Sequence, residues 1–195
     1  ITQMASQETG RVYEIVVFLP ADYESSPGKH YPVLYYTDAY WDTPLLHSMH
    51  GQLVYDKVIP ELIMVGFSYP GKNPDYGKLR QFDLTPTRLT DDPNSGGAPE
   101  FLQFIEKQVI PYVESEYRAQ EGERAISGNS LGGLFALYAM YQKPALFKRI
   151  ISISPAIVWN NSAFFSEDSL YAAQHDSLPG RLFLSHGGED RKSVV

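Results

Sequence analysis

The amino-acid sequence predicts an α/β fold with a mostly parallel central sheet and helices on both faces. Short apolar runs typical of strands alternate with longer amphipathic runs from residue 31 onward. Two of these apolar runs are nearly continuous, as expected for strands that are buried on both faces. The chain has 195 residues and is 43% hydrophobic and 20% charged, which are ordinary values for one globular domain. We therefore expect residues 1–195 to form a single domain.

The pattern of apolar residues predicts the following strands and helices along the chain. A short strand within residues 1–7 is expected to turn at Thr9 and Gly10 into a strand over residues 11–19, which Pro20 ends. The further predicted strands are residues 32–37, 61–68, 124–127, 148–154 and 181–185, and the predicted helices are residues 44–55, 98–117, 131–141 and 163–173. Pro111 should kink or split the second helix, because proline lacks the amide that continues a helix. Residues 69–97 are rich in Pro, Gly, Asp and Asn and are expected to be irregular.

Charge and composition exclude several classes of function. The net charge is −7, from 16 Lys and Arg against 23 Asp and Glu, so the chain lacks the basic surface that binds nucleic acid. Cysteine is absent, which excludes disulfides, thiolate metal sites and cysteine nucleophiles. The longest apolar run, residues 62–67, is too short to span a membrane. Residues 1–6 do not resemble a signal peptide, and both a cytoplasmic and a periplasmic or secreted location are compatible with the sequence.

One motif carries chemistry in the right structural context. The segment Gly128-Asn129-Ser130-Leu131-Gly132 lies between a predicted strand and a predicted helix. This is the arrangement of a nucleophile elbow, in which a tight turn exposes the serine hydroxyl above the sheet. The flanking glycines are required because side chains there would collide with the neighbouring strand and helix. The alternative is an ordinary glycine-rich turn with a serine that caps the helix.

The remaining catalytic groups are sought where other strands end. In this fold the acid follows the serine along the chain, and Asp190 stands shortly after the predicted strand at residues 181–185. Glu189 is the adjacent alternative. Such a carboxylate orients the catalytic histidine and stabilises its charged form.

The oxyanion hole needs two backbone amides. The first is expected from Leu131, the residue after the nucleophile. The second should come from the loop after the strand at residues 32–37, and we favour the amide of Tyr40. Asp38, in the same loop, is expected to organise the turn through hydrogen bonds to the backbone.

Several separated segments resemble the esterase family of α/β-hydrolases that includes the enterochelin (ferric siderophore) esterases and relatives of esterase D. The segments are residues 31–38, 60–63, 82–86, 127–138 and 153–156. The resemblance covers nearly the whole chain and implies an α/β-hydrolase fold, a serine carboxylic-ester hydrolase, a Ser–Asp/Glu–His triad and no metal. Ala39 stands where family members usually have glycine, which leaves the second oxyanion donor open.

The triad histidine is missing from the expected position. The chain has five histidines, at positions 30, 47, 50, 175 and 186, and all of them precede Asp190, whereas the family carries its histidine downstream of the acid. We therefore expect the C-terminal part of the domain, with this histidine, to lie outside the sequence. His186 is expected at a strand end as a pocket-wall or structural residue, and His50 is a remote substitute for the base.

Aromatic and basic residues near the strand ends are candidates for the substrate pocket. These are Trp159, Tyr69, Arg80 and Trp41, with Tyr40 beside Trp41. Arg80 has the planar fork that suits an anionic group of the substrate. The alternative is that Arg80 pairs with Asp83 and stiffens the loop.

Together these features predict a serine esterase that forms an acyl-enzyme on Ser130 and acts on a small-molecule ester without a cofactor. Two alternatives stay open: a catalytically silent binding protein that keeps the fold, and an acyltransferase or peptidase with the same nucleophile. A homodimer is also compatible with the sequence.

Overall fold

The computed structural model describes residues 1–178 and 180–187. In this part of the chain the strands are β1 (Thr2–Ala5), β2 (Val12–Phe18), β3 (Tyr31–Tyr36), β4 (Ile63–Ser68), β5 (Ala119–Asn129), β6 (Arg149–Ile153) and β7 (Arg181–Ser185). The helices are α1 (Ala39–Tyr55), α2 (Tyr76–Leu84), α3 (Ala98–Phe104), α4 (Ile110–Glu116), α5 (Leu131–Gln142), α6 (Trp159–Ser162) and α7 (Phe164–Gln174), and a π-helical turn (Ile105–Val109) joins α3 to α4.

The strands form one twisted layer in the order β1-β2-β4-β3-β5-β6-β7. β1 and β2 pair antiparallel, β2 also runs antiparallel to β4, and the pairs from β4 through β7 are parallel. This arrangement confirms the predicted mostly parallel sheet. The carboxyl ends of β3, β5 and β6 lie side by side, since Tyr36 pairs with Ser127 and Asn129 with Ile153. The loops that follow these strands therefore meet at one edge of the sheet.

Helices cover both faces of the sheet. In β4, Ile63, Val65 and Phe67 face a large apolar cluster that includes residues of α3, α4 and α5. Met64 points to the opposite face and packs with Tyr36 and residues of α1 in a smaller cluster. Successive residues of a strand point to opposite faces, so a strand with a helical layer on each side must be apolar throughout.

The structure departs from the sequence prediction in four elements, one of which is the short α6, which the sequence did not predict. α1 begins at Ala39 rather than at residue 44, and β5 begins at Ala119 rather than at residue 124. α2 occupies part of the stretch that we expected to be irregular. It forms because the Asp75 carboxylate caps its first turn, accepting from the Lys78 amide at 3.2 Å, and because Leu84 is buried in the core.

The predicted helix around Pro111 is divided into α3 and α4 by the π-helical turn just before the proline. The amide of Ile110 donates to the carbonyl of Ile105, five residues back, in place of the usual four. Pro111 has no amide to donate and its ring would crowd the carbonyl four residues earlier, so the widened turn avoids a clash. Among the described helices, none is both long and apolar enough to cross a membrane.

Candidate active site at the carboxyl edge of the sheet

Ser130 stands on a sharp turn between β5 and α5. Its backbone has φ 57° and ψ −115°, a conformation that residues other than glycine seldom adopt, and its side chain is exposed. The residue therefore has the exposure and the backbone conformation that a nucleophile elbow requires.

The glycines on either side of Ser130 are needed for the turn to close. A Cβ at Gly128 would lie 2.3 Å from the carbonyl carbon and oxygen of Gly132. A Cβ at Gly132 would lie 2.1 Å from the side-chain oxygen of Thr37. Backbone atoms fill the space at Gly128 and the Thr37 side chain fills it at Gly132, so the steric argument made from the sequence applies at both positions.

Main-chain hydrogen bonds hold Ser130 against β6 and the segment that follows it. The Ser130 amide donates to the carbonyl of Ile153 at 2.9 Å, and the Ser130 carbonyl accepts from the amides of Leu134 and Ala156, both at 3.0 Å. Leu131, the predicted oxyanion donor, is the first residue of α5. Amides in the first turn of a helix have no partner within the helix and lie at the positive end of its dipole.

The loop between β3 and α1 passes beside the elbow. The Thr37 amide donates to the carbonyl of Ser127 at 3.2 Å, and a Cβ at Gly132 would lie 3.3 Å from the Asp38 carboxylate. Tyr40, the predicted second oxyanion donor, is in the first turn of α1, and 56% of its surface is exposed. The structure thus brings the elbow and the start of α1 together.

Arg80 contacts this loop rather than its sequence neighbour Asp83. Its Nε and Nη2 donate to the two carboxylate oxygens of Asp38 at 2.7 and 2.8 Å. The side chains of Arg80 and Asp38 are 17% and 6% exposed. The expected Arg80–Asp83 pair is therefore wrong, because α2 turns Arg80 toward the sheet edge and Asp83 toward the core. Asp38 accepts from two of the three guanidinium nitrogens, and the role of Arg80 in binding an anionic substrate group stays a prediction.

Asp83 is the centre of a separate buried network. It accepts hydrogen bonds from the hydroxyls of Tyr69 at 2.9 Å and Tyr13 at 3.0 Å, and it pairs with Arg11 at 3.2 Å. Burial raises the pKa of Asp83 to about 6, against the opposing effects of the Arg11 guanidinium and the two hydroxyls. Tyr69, which the sequence suggested as a pocket wall, is buried in this network and belongs to the core.

Aromatic rings line the surface next to the Asp38–Arg80 pair. Tyr40 stacks on Tyr76 with their ring centroids 4.0 Å apart, and Trp41 contacts Tyr76 at 5.7 Å. The Trp41 ring lies 5.6 Å from the Arg80 guanidinium. Tyr76 belongs to residues 69–97, the stretch that the sequence predicts to be irregular and to lie over the site, and it is the first residue of α2.

Trp159 lies beyond β6, on the far side of the elbow from Tyr40. Its indole nitrogen donates to the carbonyl of Thr87 at 3.1 Å, and the Asn160 amide donates to the Thr87 hydroxyl at 3.0 Å. Trp159 lines a small cleft together with Pro86 and Leu134, one helical turn from Ser130. This segment therefore borders the elbow, as the sequence suggested.

Asp190 and Glu189, the two predicted acids, lie outside the described residues. The strand that leads toward them is in place, since β7 pairs with β6 and the Ser185 carbonyl accepts from the Ser154 amide at 2.6 Å. His186 follows β7, is exposed, and has its Nδ1 3.0 Å from the carbonyl of Gly187.

His50 is not placed to replace the catalytic histidine. It lines a cleft with His47, Phe18 and Met64, and the His47 ring lies 4.9 Å from Phe18. Phe18 pairs with Met64 near the start of β4, whereas Ser130 follows the end of β5. The two histidines are therefore at the opposite edge of the sheet from the elbow. Within residues 1–178 and 180–187, no group of three or more His, Cys, Asp or Glu is arranged to hold a metal ion.

Comparison with known proteins places these features in a family. A family model described as "Putative esterase" matches residues 6–192. The ferri-bacillibactin esterase BesA of Bacillus subtilis is 31% identical, over 96% of this chain and 69% of its own length. The siderophore enterobactin esterase of Emericella nidulans is 34% identical, over 68% of this chain and 49% of its own length.

Solved structures show the same fold. The BES protein from Bacillus cereus superposes with a TM-score of 0.85 at 27% identity, covering 96% of this chain and 73% of that one. The siderophore hydrolase EstA from Aspergillus nidulans gives a TM-score of 0.82 at 30% identity, covering 96% of this chain and 68% of that one. The described residues thus have the α/β-hydrolase fold.

Proposed function

Because this chain belongs to the esterase family of α/β-hydrolases, we propose that it hydrolyses carboxylic esters with the hydroxyl of Ser130 as the nucleophile. The observation that carries the proposal is the strained, exposed backbone of Ser130, closed between two glycines at the start of α5. A serine that only capped a helix would not need this conformation or these close backbone contacts.

In the proposed mechanism the Ser130 oxygen attacks the ester carbonyl and a histidine takes its proton. The tetrahedral oxyanion accepts hydrogen bonds from the amides of Leu131 and Tyr40, the histidine protonates the leaving alcohol, and water then hydrolyses the acyl-enzyme. Asp190, with Glu189 as the alternative, would hold the imidazole in the correct tautomer. Each step forms and breaks one bond at the carbonyl carbon and needs no redox partner.

The general base is the group that the described residues do not supply. None of the histidines at positions 30, 47, 50, 175 and 186 is hydrogen-bonded to Ser130 in the described part of the chain. The proposal therefore takes this base from a histidine outside residues 1–195. The chain spans 69% of the length of the Bacillus subtilis relative and 49% of the length of the Emericella nidulans relative.

We further propose siderophore esters as the substrate class. The names of the relatives point to such substrates, and the stacked rings of Tyr40, Trp41 and Tyr76 give the entrance to the elbow an apolar, aromatic wall. Flat aromatic groups of a small-molecule ester would pack against these rings. A panel that compares a catecholate siderophore with simple alkyl esters would show this preference as a higher kcat/KM.

A fluorophosphonate probe tests the nucleophile. We expect the probe to label Ser130, and Ser130→Ala to abolish both labelling and the turnover of a p-nitrophenyl ester, because the proposed acyl-enzyme forms on the Ser130 hydroxyl. Ser115→Ala, at an exposed serine on α4, is the matched control and should keep both. The labelled residue is identified by mass spectrometry of the digested protein.

The same assay separates the alternatives. A folded protein that is not labelled and binds an ester without cleaving it would be a silent member of the fold. Labelled protein that transfers its acyl group to an amine or cleaves peptides faster than esters would be an acyltransferase or a peptidase. Either result would overturn the proposed esterase activity.

A further inference from the structure

Asp38 stands at the N-cap of α1 but does not cap it. An aspartate at this position ordinarily accepts a hydrogen bond from the second or third amide of its helix. Here the side chain makes no such bond, and both carboxylate oxygens accept from Arg80 instead. The backbone of Asp38 is left-handed, with φ 57° and ψ 36°.

As a result, two amides in the first turn of α1, next to the elbow, have no hydrogen-bond partner in the described part of the chain. The amides of Trp41 and Asp42 both donate to the Asp38 carbonyl, at 2.9 and 3.0 Å. The amides of Ala39 and Tyr40 have no hydrogen-bond acceptor among the described residues. These are the donors that the proposed oxyanion hole requires from this loop.

We propose that Arg80 is a positioning residue that holds the Asp38 carboxylate away from the first turn of α1 and so keeps the Tyr40 amide open to the oxyanion. This inference rests on the proposed esterase function. Without Arg80, the Asp38 carboxylate would be free to rotate onto the helix start and accept from its amides, as aspartates at N-caps do. It would then both occupy the donor and place a negative charge next to the developing oxyanion.

The surroundings of the pair suit this role. Both side chains are largely shielded from water, and two parallel hydrogen bonds fix their relative orientation. The Trp41 ring lies against the guanidinium and limits its movement. Arg80 belongs to α2 and Asp38 to the loop after β3, so the pair also ties the start of α1 to a second helix.

Three variants separate this role from that of a simple ion pair. Arg80→Met removes the guanidinium and leaves the carboxylate in place, whereas Asp38→Gly removes the carboxylate and tolerates the left-handed backbone. We expect Arg80→Met to lower kcat by about 10²-fold, the effect of losing one oxyanion donor, with little change in KM. Asp38→Gly and the double variant should both retain more activity than Arg80→Met, because neither contains a side chain that can block the amide.

Two further readouts report on the oxyanion hole itself. Arg80→Met should slow an oxygen ester more than the matching thionoester, because sulfur accepts hydrogen bonds more weakly. A crystal structure of Arg80→Met should show the Asp38 carboxylate bonded to the Tyr40 amide. Arg88→Met, at an exposed arginine in the same stretch, is the matched control and should behave as the wild type.

The outcomes are distinguishable. Equal losses in Arg80→Met and Asp38→Gly, with unchanged oxygen-to-sulfur selectivity, would mean that the pair is only structural and would overturn the inference. So would an Asp38 carboxylate that stays away from α1 in the variant structure. If the wild type does not acylate at Ser130, the esterase proposal fails, and the crystal structure alone then decides whether Arg80 prevents capping.

Discussion

In the proposed site, the main-chain atoms of Ser130 and Tyr40 are as important as their side chains. Ser130 adopts a conformation that costs about 1–3 kcal/mol, and it persists because its amide and carbonyl are bonded to β6 and the segment after it. Tyr40 matters in the proposed mechanism for its amide, whereas its ring packs on Tyr76. These two roles of Tyr40 can be separated by mutation.

Tyr40→Pro removes the proposed oxyanion donor without removing a hydrogen bond that the helix uses, because Tyr40 lies in the first turn of α1. We expect kcat for ester hydrolysis to fall by about 10²- to 10³-fold. Tyr40→Ala keeps the amide and loses only the ring, so its kcat should fall much less. If the two variants are equally impaired in steady-state assays, the ring and not the amide is the important group.

At the scale of single residues, the sequence predicts the tight turn at Ser130 well and the side-chain contacts poorly. Ser130 could be found because the spacing of its glycines is itself the signature of the turn. The partner of Arg80 could not, because Asp38 is 42 positions away whereas Asp83 is only one helical turn along the chain. Which of the two acids Arg80 meets depends on how α2 packs against the sheet edge, and tertiary packing of this kind leaves no local pattern.

The turn at Ser130 packs tightly against the start of α5, and it can do so only because the flanking residues are glycines without a side chain. Gly128→Ala would place a Cβ against the backbone of Gly132, which cannot give way without moving α5. We expect the free energy of unfolding to fall by about 1–3 kcal/mol and labelling of Ser130 to be lost. Urea denaturation and probe labelling check both effects.

Gly51→Ala is the matched control for this change. Gly51 lies in α1 and a Cβ there would meet no atom within 4 Å. Since alanine favours the helix, this variant should be more stable by about 0.5–1 kcal/mol and should remain labelled. A loss of labelling in Gly51→Ala would show that labelling does not report on the elbow.

The sequence predicts the helices and strands that have a long apolar pattern. It does not predict those that form because of contacts with distant parts of the chain. β4 and α5 are apolar over most of their length and lie close to where the sequence places them. α2 was missed because Pro74, Gly77 and Pro86 give the whole stretch the composition of a loop. The early start of α1 depends on the left-handed backbone of Asp38, which is stabilised by a contact with Arg80 that the sequence does not reveal.

For the molecule as a whole, Asp83 links distant parts of the chain through one buried carboxylate. Tyr13 comes from β2, Tyr69 follows β4, and Asp83 itself belongs to α2. Its pKa of about 6 lies above the ordinary aspartate value of 3.8, because burial disfavours the charged form. Folding therefore depends on pH in the range where this group titrates.

The sign of this dependence follows from the raised pKa. Between about pH 4 and pH 6 the unfolded chain loses the Asp83 proton while the folded chain retains it, so this group contributes stability at low pH that is lost as the pH rises through 6. We expect the wild type, relative to Asp83→Asn, to be more stable at pH 4 than at pH 7 by up to about 3 kcal/mol. Urea denaturation of both proteins across this range provides the measurement. A stability difference that is constant, or that increases with pH, would contradict the expectation.

The bonds that clamp Ser130 to Ile153 and Ala156 use only main-chain atoms. Side chains along the segment after β6, Trp159 among them, can therefore be exchanged over evolutionary time without displacing the hydroxyl. Substrate preference and reaction chemistry are thus free to diverge separately. Related proteins with this fold can therefore differ in the residues around Ser130 while the turn that holds it stays unchanged.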